Sequence, residues 1–66
     1  MQLTVNGEPY DLAAPPTVAS LLATLGLVAA RVAVEVNEDV VPRGTYDTHP
    51  LVAGDRVEIV HFVGGG

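Results

Sequence analysis

Met1-Gln2-Leu3-Thr4-Val5-Asn6-Gly7-Glu8-Pro9-Tyr10-Asp11-Leu12 opens the chain, and the architecture follows from how it folds back on itself. Its first five residues alternate between apolar and polar, the period of a strand with one buried face. Asn6-Gly7 is a favoured pair for a tight type I′ turn, which needs positive φ at both positions. Residues 8–12 then return antiparallel, and Pro9, which has no N–H to give, places that strand at an edge or near its start. A lone hairpin is barely stable in water, so its apolar face needs a cover.

The cover comes next in the chain. Pro15-Pro16 closes the hairpin region and Thr17 offers an N-cap hydroxyl. Val18, Leu21, Leu22 and Leu25 recur at the i, i+3, i+4, i+7 spacing of one helix face. Gly26 supplies a left-handed stop, over which Leu27 folds back. Beyond the helix, residues 31–36 read as a strand rich in valine, Asn37-Glu38-Asp39 as a turn, and Val40-Val41 as a short strand. Pro42-Arg43-Gly44 breaks the order, and residues 45–50 predict no more than a short 3₁₀ turn or loop. Ala53-Gly54-Asp55 turns the chain into a last strand over 56–63.

One helix covers only one face of a sheet, so Leu3, Val5, Val34, Val36, Val57 and Ile59 are expected to face it. The expectation is an α+β roll of four or five strands wrapped on one main helix. Alternation along the last strand then turns Val60 and Phe62 outward. Exposed apolar side chains at the end of a strand make a candidate recognition patch.

Composition narrows the function. With 66 residues, 48% of them apolar, the chain is expected to form one small domain. It has no cysteine, which excludes disulfides, thiolate metal sites and a thiol nucleophile. His49 and His61 lack the partner spacing of a zinc site. Neither a membrane-spanning apolar run nor the pattern of a signal peptide is present, and the expectation is a cytoplasmic protein. The net charge is −5, from eight acidic residues against three arginines and no lysine. Nucleic acid and anionic membrane are therefore poor partners, and a positively charged docking surface is a favoured one.

No catalytic constellation appears. Ser20 has no histidine near it in sequence, and Glu8 and Asp11 read as solvated charges. Arg31 and Arg56 are expected to make surface ion pairs. The glycines at 7, 26, 44 and 54 each account for a turn or a cap, so there is no phosphate-binding loop. No catalytic residue, metal site or bound cofactor is expected.

The sequence closes on His61-Phe62-Val63-Gly64-Gly65-Gly66, with three of its seven glycines directly behind an apolar strand. The division expected is a body over residues 1–63 and a flexible glycine tail over 64–66. Three extended residues reach about 10 Å, and without β-carbons they enter a channel too narrow for other residues. Ordering them costs roughly 3–6 kcal/mol, which a partner must offset. Such a tail suits delivery of the Gly66 carboxylate into another protein's active site, with Gly64 and Gly65 threading it. A carboxylate is a poor electrophile; as an acyl-adenylate it becomes open to attack by an amine, thiol or persulfide. Without cysteine, any sulfur carried here sits on the terminal carbonyl. Without lysine, the chain suits a carrier better than a self-linking modifier.

Three blocks of residues then stand out together. They are Val5-Asn6-Gly7-Glu8; Val32-Ala33-Val34-Glu35-Val36-Asn37 running through Val40-Val41-Pro42-Arg43; and Gly54-Asp55-Arg56-Val57-Glu58-Ile59-Val60-His61-Phe62-Val63-Gly64-Gly65-Gly66. In their joint order the chain resembles the sulfur carriers of thiamine biosynthesis, the ThiS family, over essentially its whole length. The resemblance implies a ubiquitin-like β-grasp roll with a mixed four- to five-stranded sheet. It implies that an E1-like adenylyltransferase uses ATP to adenylate Gly66. Sulfur from a donor such as a cysteine desulfurase then makes a thiocarboxylate, and thiazole synthase takes that sulfur. On this reading Val60 and Phe62 meet the partners, the carrier is no enzyme, and it is expected to be a monomer when free. Two alternatives stay open: the related sulfur carrier of molybdopterin synthesis, and a β-grasp binding module without covalent chemistry.

Overall fold

The computed structural model describes residues 1–13 and 16–62. Strand β1 (Gln2–Val5) pairs antiparallel with β2 (Glu8–Asp11), placing Val5 opposite Glu8 and Gln2 opposite Asp11. Asn6 and Gly7 between them have φ of 50° and 81°, the pair of positive angles a type I′ turn requires. Asn6 has a second task that its turn position does not announce. Its Nδ2 donates to the Ile59 carbonyl at 3.1 Å, and its Oδ1 accepts from the Ile59 N–H at 2.7 Å. A side-chain amide thus stands in for one more residue of β1 beside the last strand.

Helix α1 (Val18–Leu25) is closed at both ends by its own sequence. Thr17 Oγ1 accepts from the Ser20 N–H at 3.1 Å, while the Thr17 N–H donates to Ser20 Oγ at 2.8 Å. This reciprocal box satisfies two backbone donors that the first helical turn leaves free. At the other end Gly26 takes φ 73°, and Leu27 N–H donates to the Leu22 carbonyl at 2.9 Å. Val18, Leu21 and Leu22 are buried; Leu25 and Leu27 are partly buried against them.

After the helix the chain forms a 3₁₀ turn (Ala29–Arg31), then β3 (Val32–Val36), β4 (Asp39–Val40), a second 3₁₀ turn (Arg43–Thr45) and β5 (Arg56–His61). The sheet order is β2-β1-β5-β3-β4. β1 and β5 run parallel, with Thr4 opposite Arg56 and Val5 opposite Val57, and the other pairs are antiparallel. This is the expected α+β arrangement, with the last strand at its centre. Leu3, Val34, Val36, Val57 and Ile59 are buried and Val5 is partly buried, all in one core with the helix stripe.

Four details depart from the sequence reading. Arg31 belongs to the 3₁₀ turn rather than to β3, its N–H donating to the Val28 carbonyl. Val41 leaves the short strand and turns into the core, where it joins Tyr46 and Leu51. Arg56 lies 4.0 Å from Glu38, but Arg31 makes no ion pair among the described residues. β5 is assigned to His61, and the remainder of the expected strand and tail, Val63 with Gly64, Gly65 and Gly66, lies outside the described residues.

Asp55 is the buried polar residue that ties the turns together. Its Oδ1 accepts from Asn37 Nδ2 at 3.0 Å and its Oδ2 from the Val52 N–H at 2.9 Å. Asn37 Oδ1 in turn accepts from the Arg56 N–H at 3.0 Å. The start of β5 is thereby fixed to the β3–β4 turn.

Candidate functional site

The candidate site is the end of β5. The strand is held on both sides as far as Ile59, by β1 and the Asn6 side chain on one flank and β3 on the other. Beyond Ile59 the ladder to β3 continues, with Val60 opposite Ala33, His61 opposite Val32, and Phe62 N–H donating to the Arg31 carbonyl at 3.0 Å. Alternation with buried Val57 and Ile59 turns Val60 outward, and it is 61% exposed. Phe62, the last described residue, is 50% exposed. Both lie at the surface, as expected from the alternation.

Glu58 sits opposite Glu35 in the same ladder, both exposed on the outer face beside the Val60–Ala33 pair. Like charges directly across a sheet repel. An apolar end flanked by two carboxylates suits a partner surface that is apolar at its centre and basic beside it.

Arg43 is the side chain that sequence reasoning missed as part of this site. Its Nε donates to the Ala29 carbonyl at 3.1 Å and its Nη2 to the Val32 carbonyl at 3.2 Å. Its guanidinium carbon lies 5.6 Å from the centroid of the Phe62 ring, inside the range of a cation–π contact. The signal lay in the Val40-Val41-Pro42-Arg43 block, but nothing in the spacing of residues tells that a loop arginine reaches the end of β5.

Gly64, Gly65 and Gly66 lie outside the described residues. Among the described residues, no cluster of three or more His, Asp or Glu side chains could hold a metal ion, and no helix is long and apolar enough to cross a membrane. Glu8 and Asp11 stand at opposite ends of β2, and Asp11 lies 3.1 Å from the Met1 amino group. His61 is exposed at the end of β5, and His49 is partly buried in its loop.

The family model described as the ThiS family matches residues 3–66, the glycine end included. The chain belongs to the ThiS family. As a member of that family of sulfur carriers it has the ubiquitin-like β-grasp fold. The crystal structure of the thiamine biosynthesis protein ThiS from Geobacter metallireducens superposes with a TM-score of 0.85 at 40% identity, covering 100% of both chains. The sulfur carrier protein ThiS of Escherichia coli is 32% identical over 66 residues, 100% of each chain. A thiazole synthase of Magnetococcus marinus is 47% identical over 66 residues, 100% of this chain but 20% of that protein. This ThiS-family chain therefore spans about a fifth of the length of that relative.

Proposed function

We propose that this ThiS-family chain is a sulfur carrier for thiamine biosynthesis, with residues 1–63 as the body and 64–66 as the tail that delivers Gly66. The observation that carries the reading is the extent of the family match, which runs through the glycine end to residue 66. The geometry at the end of β5 supports it, since Val60 and Phe62 are exposed where the chain leaves the sheet.

In the proposed chemistry an E1-like adenylyltransferase binds this end and ATP. A Gly66 carboxylate oxygen attacks the α-phosphorus, pyrophosphate leaves, and an acyl-adenylate forms. A persulfide sulfur on the donor, such as a cysteine desulfurase, attacks the carbonyl and displaces AMP. A thiol then reduces the resulting sulfur–sulfur bond, leaving a thiocarboxylate on Gly66. Thiazole synthase takes that sulfur. The chain binds no cofactor in this scheme; ATP is bound by the adenylating partner. The carrier is a cytoplasmic co-substrate, monomeric when free.

Thiazole synthase is favoured over a molybdopterin acceptor by one specific finding. A thiazole synthase carries within its own length a segment 47% identical to this entire chain. Joining carrier and acceptor in one polypeptide raises the effective concentration of one at the other.

The test is intact mass after incubation with a cognate adenylating enzyme, ATP and a sulfur donor. The expected product is heavier by the difference between one sulfur and one oxygen atom. Deleting Gly66 is expected to leave the melting temperature unchanged and to abolish that product; a truncated chain that still accepts sulfur overturns the mechanism.

A further inference from the structure

We propose that Arg43 is a positioning residue that presets the Phe62 ring as a docking face for the adenylating partner. The proposal rests on the reading that Phe62 meets that partner. It starts from where the arginine's contacts fall. The two carbonyls it holds, Ala29 and Val32, bracket Arg31, whose own carbonyl receives the Phe62 N–H. One side chain therefore grips the backbone on both sides of the bond that secures Phe62, and lays its guanidinium over the ring of the same residue. The ring remains 50% exposed, so it stays available to a partner while the guanidinium restrains it.

The loop carrying Arg43 does not depend on that side chain for its shape. The Thr45 hydroxyl and N–H both donate to the Pro42 carbonyl, at 2.8 and 2.9 Å. Tyr46 is buried, and its carbonyl accepts from the Ala19 N–H at 2.9 Å. The Arg43 side chain is thus surplus to the loop and is spent on the end of β5. Arginine suits the task because its planar fork donates in two fixed directions while its face stacks on an aromatic ring; lysine has neither property. A ring already held in place has less freedom to lose on docking.

The experiment is a double-mutant cycle on the full chain, read by ATP–pyrophosphate exchange with a cognate E1-like adenylating enzyme. Arg43→Met is expected to raise the KM for the carrier about three- to tenfold, with kcat within about twofold. Because Arg43→Met also gives up two side-chain bonds to backbone carbonyls, its melting temperature is expected to fall by a few degrees while the chain stays fully folded at the assay temperature. In a Phe62→Leu background, which keeps apolar bulk but loses the ring, Arg43→Met is expected to change KM by less than about twofold. The δ-protons of Arg43 are expected to show a ring-current shift in NMR spectra that Phe62→Leu removes. An equal KM effect in both backgrounds, or none in either, overturns the positioning role while the carrier reading stands. Absence of exchange with the unaltered chain overturns both.

Discussion

Leu22 is 2% exposed and sits where the helix stripe meets the sheet. Cutting it to alanine removes buried methyl groups and leaves a cavity that so small a core cannot wholly refill. Leu22→Ala is expected to cost about 2–5 kcal/mol, read from a denaturant titration. A midpoint equal to that of the parent would place Leu22 outside the core. Asp55 works differently, since its value lies in the donors it satisfies. Asp55→Ala strands the partly buried donors Asn37 Nδ2 and Val52 N–H, and is expected to cost about 1–3 kcal/mol. Phe62 is half exposed, and in the proposed function its ring serves the partner more than the fold. Phe62→Ala is expected to weaken binding of the adenylating enzyme by more than it lowers stability, in paired titration and melting experiments; the opposite order would make the ring a core residue.

Among the elements, the two hairpin turns form an instructive contrast. Asn6-Gly7 and Asn37-Glu38 both have positive φ at both residues, but the second turn puts glutamate at φ 73° where the first has glycine. A side chain bearing a β-carbon is strained in that region. Glu38→Gly is expected to raise stability by about 0.5–1 kcal/mol, after allowance for glycine's greater unfolded-state freedom. The exposed contact with Arg56 that is lost, at 4.0 Å, contributes little to set against this. A lower midpoint in chemical denaturation would show that the Glu38 side chain matters more than its backbone strain. The same contrast explains what was legible in the sequence. The first hairpin and helix α1 were readable because their signals are local: an Asn-Gly pair, a capping threonine, an apolar period. Val41, Tyr46 and Leu51 were not, because each reaches the core alone from an irregular segment without a period to reveal it. In the candidate site, the outward aim of Val60 followed from strand alternation. Arg43 depends on a loop-to-strand meeting that no spacing encodes, and Asn6 showed only its turn role, not its bonds to Ile59.

For the molecule as a whole, charge and topology point to the same end. A net charge of −5, with Glu35 and Glu58 opposed on the outer face, favours a basic docking surface. Affinity for the adenylating enzyme is expected to fall as ionic strength rises, measured by titration at low and physiological salt. Indifference to salt would mean that apolar contact alone holds the complex. The position of β5 has a mechanical consequence. It lies in mid-sheet between antiparallel β3 and parallel β1. A pull on the chain beyond His61 therefore drags β5 lengthwise against both neighbours. Their hydrogen bonds are strained together in shear and cannot be unzipped singly from an edge. Such a geometry lets a partner tug hard on the outgoing chain without peeling open the body behind it.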